Sequence, residues 1–219
     1  RNIERFQSTL DRVHNRQTVR LRVAAIDSIT TFAALDLQGA IARFMKIHPE
    51  VLIELETDTP ARLVKSILEG ARDIVIGAAF QPLPELSYTE LATEAHHLYC
   101  GKDHDWFQKQ DGDLSQLDFV NAAFSVRNYM HFDDTYRLGR VTARAKVGSM
   151  EAQEILILSG HYVGFLPEHR GAPWQLAGKM RAIKTNDWSF TSRFHSAHDP
   201  RREGEMLRLD FVSCLKNQI

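Results

Sequence analysis

The stretch Val19–Gly77 decides the fold, and its strands read VRLRVAAI (19–26), VLIELE (51–56) and DIVIG (73–77). The two segments between these strands carry apolar residues at helical spacing, the first at Leu37, Ile41 and Phe44 and the second at Leu63 and Ile67. Strands that alternate with helices form a parallel sheet with helices packed on it. Ligands of open α/β sheets bind at the carboxyl edge of the strands, so the stretch predicts a domain that binds small molecules.

The composition indicates a globular segment that does not itself bind nucleic acid. The length of 219 residues is enough for one large or two small domains, and 43% of the residues are hydrophobic. The chain carries 27 basic and 28 acidic residues. Nucleic-acid binding needs clustered Lys and Arg, which this balance does not supply. No run of 18 apolar residues occurs, so we expect no membrane partner.

Two features predict where the protein resides and what surrounds the segment. Cys100 and Cys214 lie far apart in the sequence, and we expect free thiols in a reducing cytosol, which predicts a cytoplasmic protein. The sequence starts at Arg1 without an initiator Met or a signal-like region. We therefore expect a fragment of a longer chain or a processed form.

Residues 1–17 are predicted to form a charged helix with a single apolar stripe. The stripe holds Ile3, Phe6, Leu10 and Val13, a spacing close to that of a heptad seam. Such a helix can pack on its own domain, or it can be the end of a dimerising linker helix that follows an upstream domain. The spacing alone leaves both interpretations open.

A second α/β unit is predicted after the first. Residues 119–123 and 141–147 indicate strands, Ser149 is the expected cap of a helix that ends at Gly160, and residues 162–167 indicate a short buried strand. A last helix is expected in the tail from Glu203. Two α/β lobes with two connecting passes account for this order of elements.

No residue pattern indicates catalysis, a cofactor or a metal. Two groups of residues have plausible ligand spacing, but neither lies in an established metal-binding motif: His195, His198 and Asp199, and His131, Asp133 and Asp134. The histidines near Cys100 are weak support for a thiolate nucleophile, and a structural cysteine is the simpler interpretation. We therefore expect no enzyme activity, no cofactor and no metal site.

Small hydroxyl residues recur where predicted strands turn into helices. They are Ser28 and Thr30 after the first strand, Thr57 and Thr59 after the second, and Ser149 in the second lobe. Each helix start offers unpaired N–H groups, and a neighbouring hydroxyl can hydrogen-bond a carboxylate, sulfate or phosphate. N-capping explains any one of these residues alone, whereas several at one sheet edge favour a binding crevice.

The chain resembles the effector-binding domain of LysR-type transcriptional regulators from about Thr18 to Leu215. The resemblance rests on three groups of segments taken in order, each degenerate alone: 19–25 with 44–49 and 51–56, then 63–70 with 73–76, and finally 147–149 with Gly160 and 165–167. Two positions depart from the family's usual pattern. Tyr162 stands where a second Gly is common, and Asp105, after His104, stands where the Pro of a frequent His-Pro pair is expected. These departures leave the fold expectation intact and the identity of the effector unreadable.

The resemblance implies two Rossmann-like subdomains of the periplasmic-binding-protein type (type 2), joined by two crossover segments with a cleft between them. Subdomain I would comprise residues 18–97 and 193–219 and subdomain II residues 98–192, with 1–17 as the end of the linker helix. The resemblance further implies that Asn121, Ala122 and Ser149 face the effector from the second lobe, and Ser28 and Thr59 from the first. It also implies a homodimer or homotetramer that contacts DNA only through an N-terminal winged helix-turn-helix absent from this segment.

Three functions fit a two-lobed chain of this kind. The first is the ligand-sensing half of a transcriptional regulator that binds a small, anionic metabolite. The second is a solute-binding protein of a transport system, which shares the architecture. The third, an enzyme on the same scaffold, lacks a convincing acid, base or nucleophile. We therefore predict a sensor domain.

Overall fold

The computed structural model describes residues 19–78, 80–129, 132–133, 143–183, 186 and 188–216. The helix predicted over residues 1–17 lies outside these described residues. The described α-helices are α1 (Leu37–Ile47), α2 (Pro60–Leu68), α3 (Gln116–Asn121), α4 (Met150–Leu158), α5 (Glu168–Leu176) and α6 (Glu205–Lys216). The described strands are β1 (Arg20–Ala25), β2 (Leu52–Thr57), β3 (Ile74–Ala78), β4 (Ser87–Gly101), β5 (Phe124–Tyr129), β6 (Phe132–Asp133), β7 (Ala143–Val147), β8 (Val163–Pro167), β9 (Met180–Ile183) and β10 (Ser189–His198).

Lobe I is built mainly from the stretch Val19–Gly77. β1 pairs in parallel with both β2 and β3, and its residues from Val23 to Ala25 are buried between the two neighbours. The helix α2 begins with Pro60, where a missing N–H costs no hydrogen bond. The helix α6 returns from the carboxyl end of the chain to this lobe, where Phe211 meets Phe44 of α1 edge-on at 5.3 Å. Lobe I therefore contains both ends of the described chain.

Lobe II has its own apolar core around β5, β8 and the distal end of β4. Phe124 and Phe165 are buried there with Leu98 and Phe119. β5 runs parallel to β7 and β8, so this lobe repeats the parallel arrangement of lobe I. The predicted architecture of two α/β lobes is confirmed.

One predicted strand of lobe II is a helix. Residues 116–121 form α3, because Ser115 and Asp118 make a reciprocal capping box in which each side chain accepts from the other residue's backbone N–H. Phe119 is buried under this helix, and the strand begins only at Phe124. The prediction of a strand over 119–123 was wrong, because the capping box starts a helix that includes the first residues of this apolar run. Over 141–147, the described part, Ala143–Val147, is a strand.

Two long strands carry the chain between the lobes. β4 and β10 pair antiparallel from Ser87 opposite His198 to His97 opposite Ser189. β10 contributes Phe194 to the core of lobe I, whereas Phe190 packs against the core of lobe II. The predicted boundaries, 97/98 and 192/193, fall inside these continuous strands and stay a prediction. Within the described part of the chain, no helix has both the length and the apolar character needed to cross a bilayer.

Candidate functional site

A cavity of about 220 Å³ opens at the carboxyl edge of the parallel strands, between the lobes. Its lining comprises Asp27, Thr57, Asp58, Thr59, Gly148 and Ser149. In lobe I, Asp27 follows β1 and the other three residues end or follow β2, whereas Gly148 and Ser149 follow β7 in lobe II. Three residues predicted from the hydroxyl pattern, Thr57, Thr59 and Ser149, therefore line one cavity.

The lobe I wall is set by the ends of two paired strands. Ala25, the last residue of β1, lies opposite Thr57, the last residue of β2. The Asp58 amide donates to the Ala25 carbonyl at 3.0 Å, and the Asp58 carboxylate accepts from the Thr59 amide at 2.8 Å. Thr59 is the cap residue of α2, yet its side chain makes no capping hydrogen bond. N-capping therefore does not account for this hydroxyl.

The lobe II wall is the start of α4. Ser149 caps this helix, its hydroxyl accepting from the Ala152 amide at 3.2 Å, so N-capping does account for this residue. The first helical amide, that of Met150, donates instead to Asp27 Oδ2 at 2.7 Å. Asp27 belongs to lobe I, so this hydrogen bond joins the two lobes across the cavity.

Ser28 and Thr30 do not line this cavity. Ser28 has a left-handed backbone (φ 67°), and it precedes a short 3₁₀ turn over Ile29–Thr31 in which Thr30 is exposed. A non-glycine residue in this region is uncommon and often marks a functional turn. Their role in binding stays a prediction.

Asn121 and Ala122 lie at the opposite edge of the sheet. They line a larger depression of about 480 Å³ with residues of lobe II, among them Trp106 and Gly160. They precede Phe124, where β5 starts, whereas Ser149 follows the end of the parallel strand β7. The structure therefore does not bring Asn121 and Ala122 together with the other predicted residues. The smaller cavity is the better candidate site because both lobes line it.

A polar network that no sequence pattern indicated joins the lobes through Glu94. Thr31 Oγ1 lies 2.8 Å from His169 Nδ1, and His169 Nε2 lies 2.8 Å from Glu94 Oε1. The other carboxylate oxygen of Glu94 lies 2.7 Å from His96 Nε2, which is 3.0 Å from the Ser192 hydroxyl. The network links the Ile29–Thr31 turn of lobe I, the start of α5 in lobe II and both crossover strands.

Glu94 carries the negative charge at the centre of this network. Its side chain is 5% exposed. Burial by itself would raise the pKa of Glu94, but the hydrogen bonds from His169 and His96 outweigh burial and lower that pKa to about 2. The Phe32 ring stacks on His169 at 5.2 Å. The network therefore holds an ionised carboxylate where the two lobes meet.

The cysteines do not form a reactive site. Both are free thiols and buried, which confirms the expected unpaired state. Burial raises the pKa of Cys100 to about 11 in spite of the nearby Arg181, and burial also raises the pKa of Cys214. Both thiols are thus protonated near neutral pH, and neither supplies a thiolate.

The two metal-ligand groups considered from spacing differ in what the structure describes. In the first, the Asp199 carboxylate is bound by Arg201 at 2.9 Å, and His195 lies 4.0 Å from Glu90. In the second, His131 and Asp134 lie outside the described residues. Across the described ranges, no group of three or more His, Cys, Asp or Glu side chains is arranged to hold a metal ion.

Comparison with known proteins finds a family model and a relative that each match most of this chain. The family model described as LysR substrate binding domain matches residues 14–219. The chain is 28% identical over 203 residues to the HTH-type transcriptional activator BauR of Pseudomonas aeruginosa, a match that covers 89% of this chain and 62% of that protein. The chain thus spans about three fifths of that relative.

Solved structures agree on the fold. A reduced form of OxyR from N. meningitidis is 15% identical, with a TM-score of 0.68 over 91% of this chain and 95% of that one. The regulatory domain of MetR from the same species is 18% identical, with a TM-score of 0.66 over 90% and 92%. A full-length OxyR variant from Pseudomonas aeruginosa is 16% identical, with a TM-score of 0.66 over 97% of this chain and 75% of that one. These domains have the two-lobed, periplasmic-binding-protein-like fold, and so does this chain.

Proposed function

The chain belongs to the LysR substrate-binding-domain family, and on that premise we propose that it senses a small metabolite for a LysR-type transcriptional regulator. The metabolite binds in the cavity between the lobes, and the bound state is transmitted to a DNA-binding domain of the full-length protein. BauR, a relative over most of this chain, is named as a helix-turn-helix activator, which supports a regulatory rather than a transport role.

The observation that carries the proposal is the shared lining of the cavity. Thr57 and Thr59 come from lobe I and Ser149 from lobe II, so a molecule bound there contacts both lobes. Such a molecule has a different affinity for each relative orientation of the lobes. It therefore shifts the population toward the orientation it binds better, which is the physical basis of sensing.

We further propose that the metabolite carries an anionic group, as the sequence predicts. The hydroxyls of Thr57 and Thr59 can donate to a carboxylate or a phosphate, and the N-terminal end of α4 lies on the opposite wall. Ser28 and Thr30 stay candidate contacts, because they closely follow Asp27, a residue of the cavity lining, in the chain.

The proposed partners and location follow the family. We propose a cytoplasmic homodimer or homotetramer that contacts DNA through the other domain of the regulator. We propose no catalytic role, since both thiols are buried and protonated and the Glu94 network holds the lobes together. Size-exclusion chromatography with light scattering measures the assembly state.

A thermal-shift screen tests the proposed function. Small carboxylates, sulfur metabolites, amino acids and aromatic acids are added singly, and a ligand that binds the folded state raises Tm by mass action. The proposal predicts at least one hit whose Tm rises with its concentration. A panel of regulatory metabolites of this size without any hit would count against an effector-binding role.

The Thr59 hydroxyl is expected to contribute to the affinity for such a hit. In Thr59→Val the side chain keeps its shape but cannot donate a hydrogen bond, and the helix loses no cap because this hydroxyl makes none. A hydrogen bond from a hydroxyl to a charged group corresponds to about tenfold or more in Kd. Isothermal titration calorimetry measures this change.

Thr93→Val is the matched control, because Thr93 is exposed on β4 and does not line the cavity. The control is expected to bind as the wild type does. Equal affinities for Thr59→Val and the wild type would remove Thr59 from the site.

A further inference from the structure

Residues 27–32, the segment that follows β1, contact lobe II at both ends of the segment. At the near end, Asp27 Oδ2 accepts from the Met150 amide, the first amide of α4, at 2.7 Å. At the far end, Thr31 Oγ1 lies 2.8 Å from Nδ1 of His169, which belongs to the first turn of α5. The segment therefore joins lobe I to the starts of two helices of lobe II.

The segment is a stiff link between these two contacts. Its middle is a single 3₁₀ turn, Ile29–Thr31, which the Phe32 amide closes by donating to the Ile29 carbonyl at 3.0 Å. Ile29 and Phe32 are buried in the core of lobe I, where the Phe32 ring packs on Phe194 at 5.1 Å. Ser28 has a left-handed backbone, which persists in a residue with a Cβ only where the surroundings hold it. A displacement of one end of the segment is therefore transmitted to the other end.

His169 is held in place for the far end of the segment. Its Nε2 lies 2.8 Å from Oε1 of Glu94, a carboxylate on the crossover strand β4 that is buried. An ionised carboxylate only accepts hydrogen bonds, so Nε2 donates to Glu94, and Nδ1 of the neutral ring accepts from the Thr31 hydroxyl. The Phe32 ring stacks on the same imidazole at 5.2 Å with 21° between the planes. The receiving surface of lobe II is thus formed before the segment contacts it.

We propose that residues 27–32 act as one latch between the lobes, in which the contact of Thr31 and Phe32 with His169 helps to hold Asp27 on the Met150 amide. The regulatory meaning of this latch rests on the proposed function. Asp27 lines the cavity, so the latched state brings the two walls of the cavity together. An effector that contacts both walls favours the same state. By linkage, the latch raises the affinity of the cavity from outside its lining, and the bound effector strengthens the latch.

The Met150 amide reports the state of the latch. As the first amide of α4 it has no partner within the helix, so its protection from hydrogen exchange depends on Asp27 of the other lobe. The Ala152 amide, which donates to the Ser149 hydroxyl at 3.2 Å, is the internal reference for fraying of α4. Hydrogen exchange followed by NMR measures both rates in one sample. Asp27→Ala, which removes the acceptor itself, calibrates the full loss of protection.

Thr31→Val keeps the shape of the side chain and removes the hydroxyl that meets His169. We expect the Met150 amide to exchange about threefold faster in this variant, because one hydrogen bond changes an opening equilibrium by about that factor. His169→Ala also removes the stack with Phe32, so we expect about tenfold or more. In both variants the exchange rate of the Ala152 amide should stay that of the wild type.

Thr93→Val makes the same chemical change at an exposed position of β4 and is expected to alter neither rate. The decisive variant is Thr31→Val, since it keeps every buried side chain. Wild-type exchange of the Met150 amide in Thr31→Val overturns the latch. An equal acceleration of the Ala152 amide also overturns it, because α4 as a whole would then have loosened.

The latch and the proposed function fail separately. Unchanged exchange of the Met150 amide in Thr31→Val removes the latch and leaves an effector site between the lobes. A thermal-shift screen without any hit removes the proposed function and leaves the coupling between the two ends of the segment.

Discussion

Replacing Glu94 by Gln is expected to lower the free energy of unfolding by about 3 kcal/mol at pH 7. The neutral amide fills the same space between His169 and His96 but no longer provides the charge that both imidazoles stabilise. The depression of the Glu94 pKa from 4.5 to about 2 corresponds to about this energy. Urea unfolding followed by circular dichroism measures the difference.

The same change is expected to alter the pH dependence of stability. Between pH 4.5 and about pH 2 the unfolded chain protonates Glu94 while the folded chain does not, so this contribution is complete above pH 4.5 and is lost as the pH falls. The difference in unfolding free energy between wild type and Glu94→Gln should therefore narrow by about 2 kcal/mol by pH 3. Glu90 is an exposed carboxylate on the same strand, so Glu90→Gln is the control. Its unfolding free energy should stay close to that of the wild type at every pH. A constant difference from pH 7 to pH 3 would show that the charge of Glu94 is not what stabilises the network.

Phe211→Ala is expected to lower the free energy of unfolding by about 3–5 kcal/mol. Phe211 is fully buried, and its ring meets Phe44 of α1 edge-on at 5.3 Å. The truncation leaves a cavity between α6 and α1, the contact through which the end of the chain joins lobe I. Thermal and urea unfolding measure the loss.

Leu209→Ala is the matched control on the same helix. Leu209 is 44% exposed, so its truncation should cost under about 1 kcal/mol. A similar small loss for Phe211→Ala would mean that α6 does not complete the core of lobe I.

Local patterns made most of the fold predictable. The parallel strands of lobe I are runs of apolar residues, and Pro60 and Gly160 mark a helix start and a helix end in the sequence. These signals act within a few residues, which is why they can be read without the structure. The one strand predicted wrongly, over 119–123, also had a local signal in the Ser115–Asp118 capping box.

The site was predictable only in part, because its contacts are distant in sequence. Thr57, Thr59 and Ser149 were found because strand ends of parallel sheets share an edge. The bond from Met150 to Asp27 spans 123 residues, and that from His169 to Glu94 spans 75. No spacing rule connects such residues, so these contacts between the lobes could not be predicted from the sequence.

The central claim, that the effector lies between the lobes, is tested most directly by titrating one screened ligand into wild type, Thr59→Val and Ser149→Gly. Glycine preserves most of the helix cap while removing the hydroxyl on the lobe II wall. We expect one ligand per chain in the wild type and weaker binding in both variants, since each variant removes a contact from a different lobe. Wild-type affinity in both variants would contradict it.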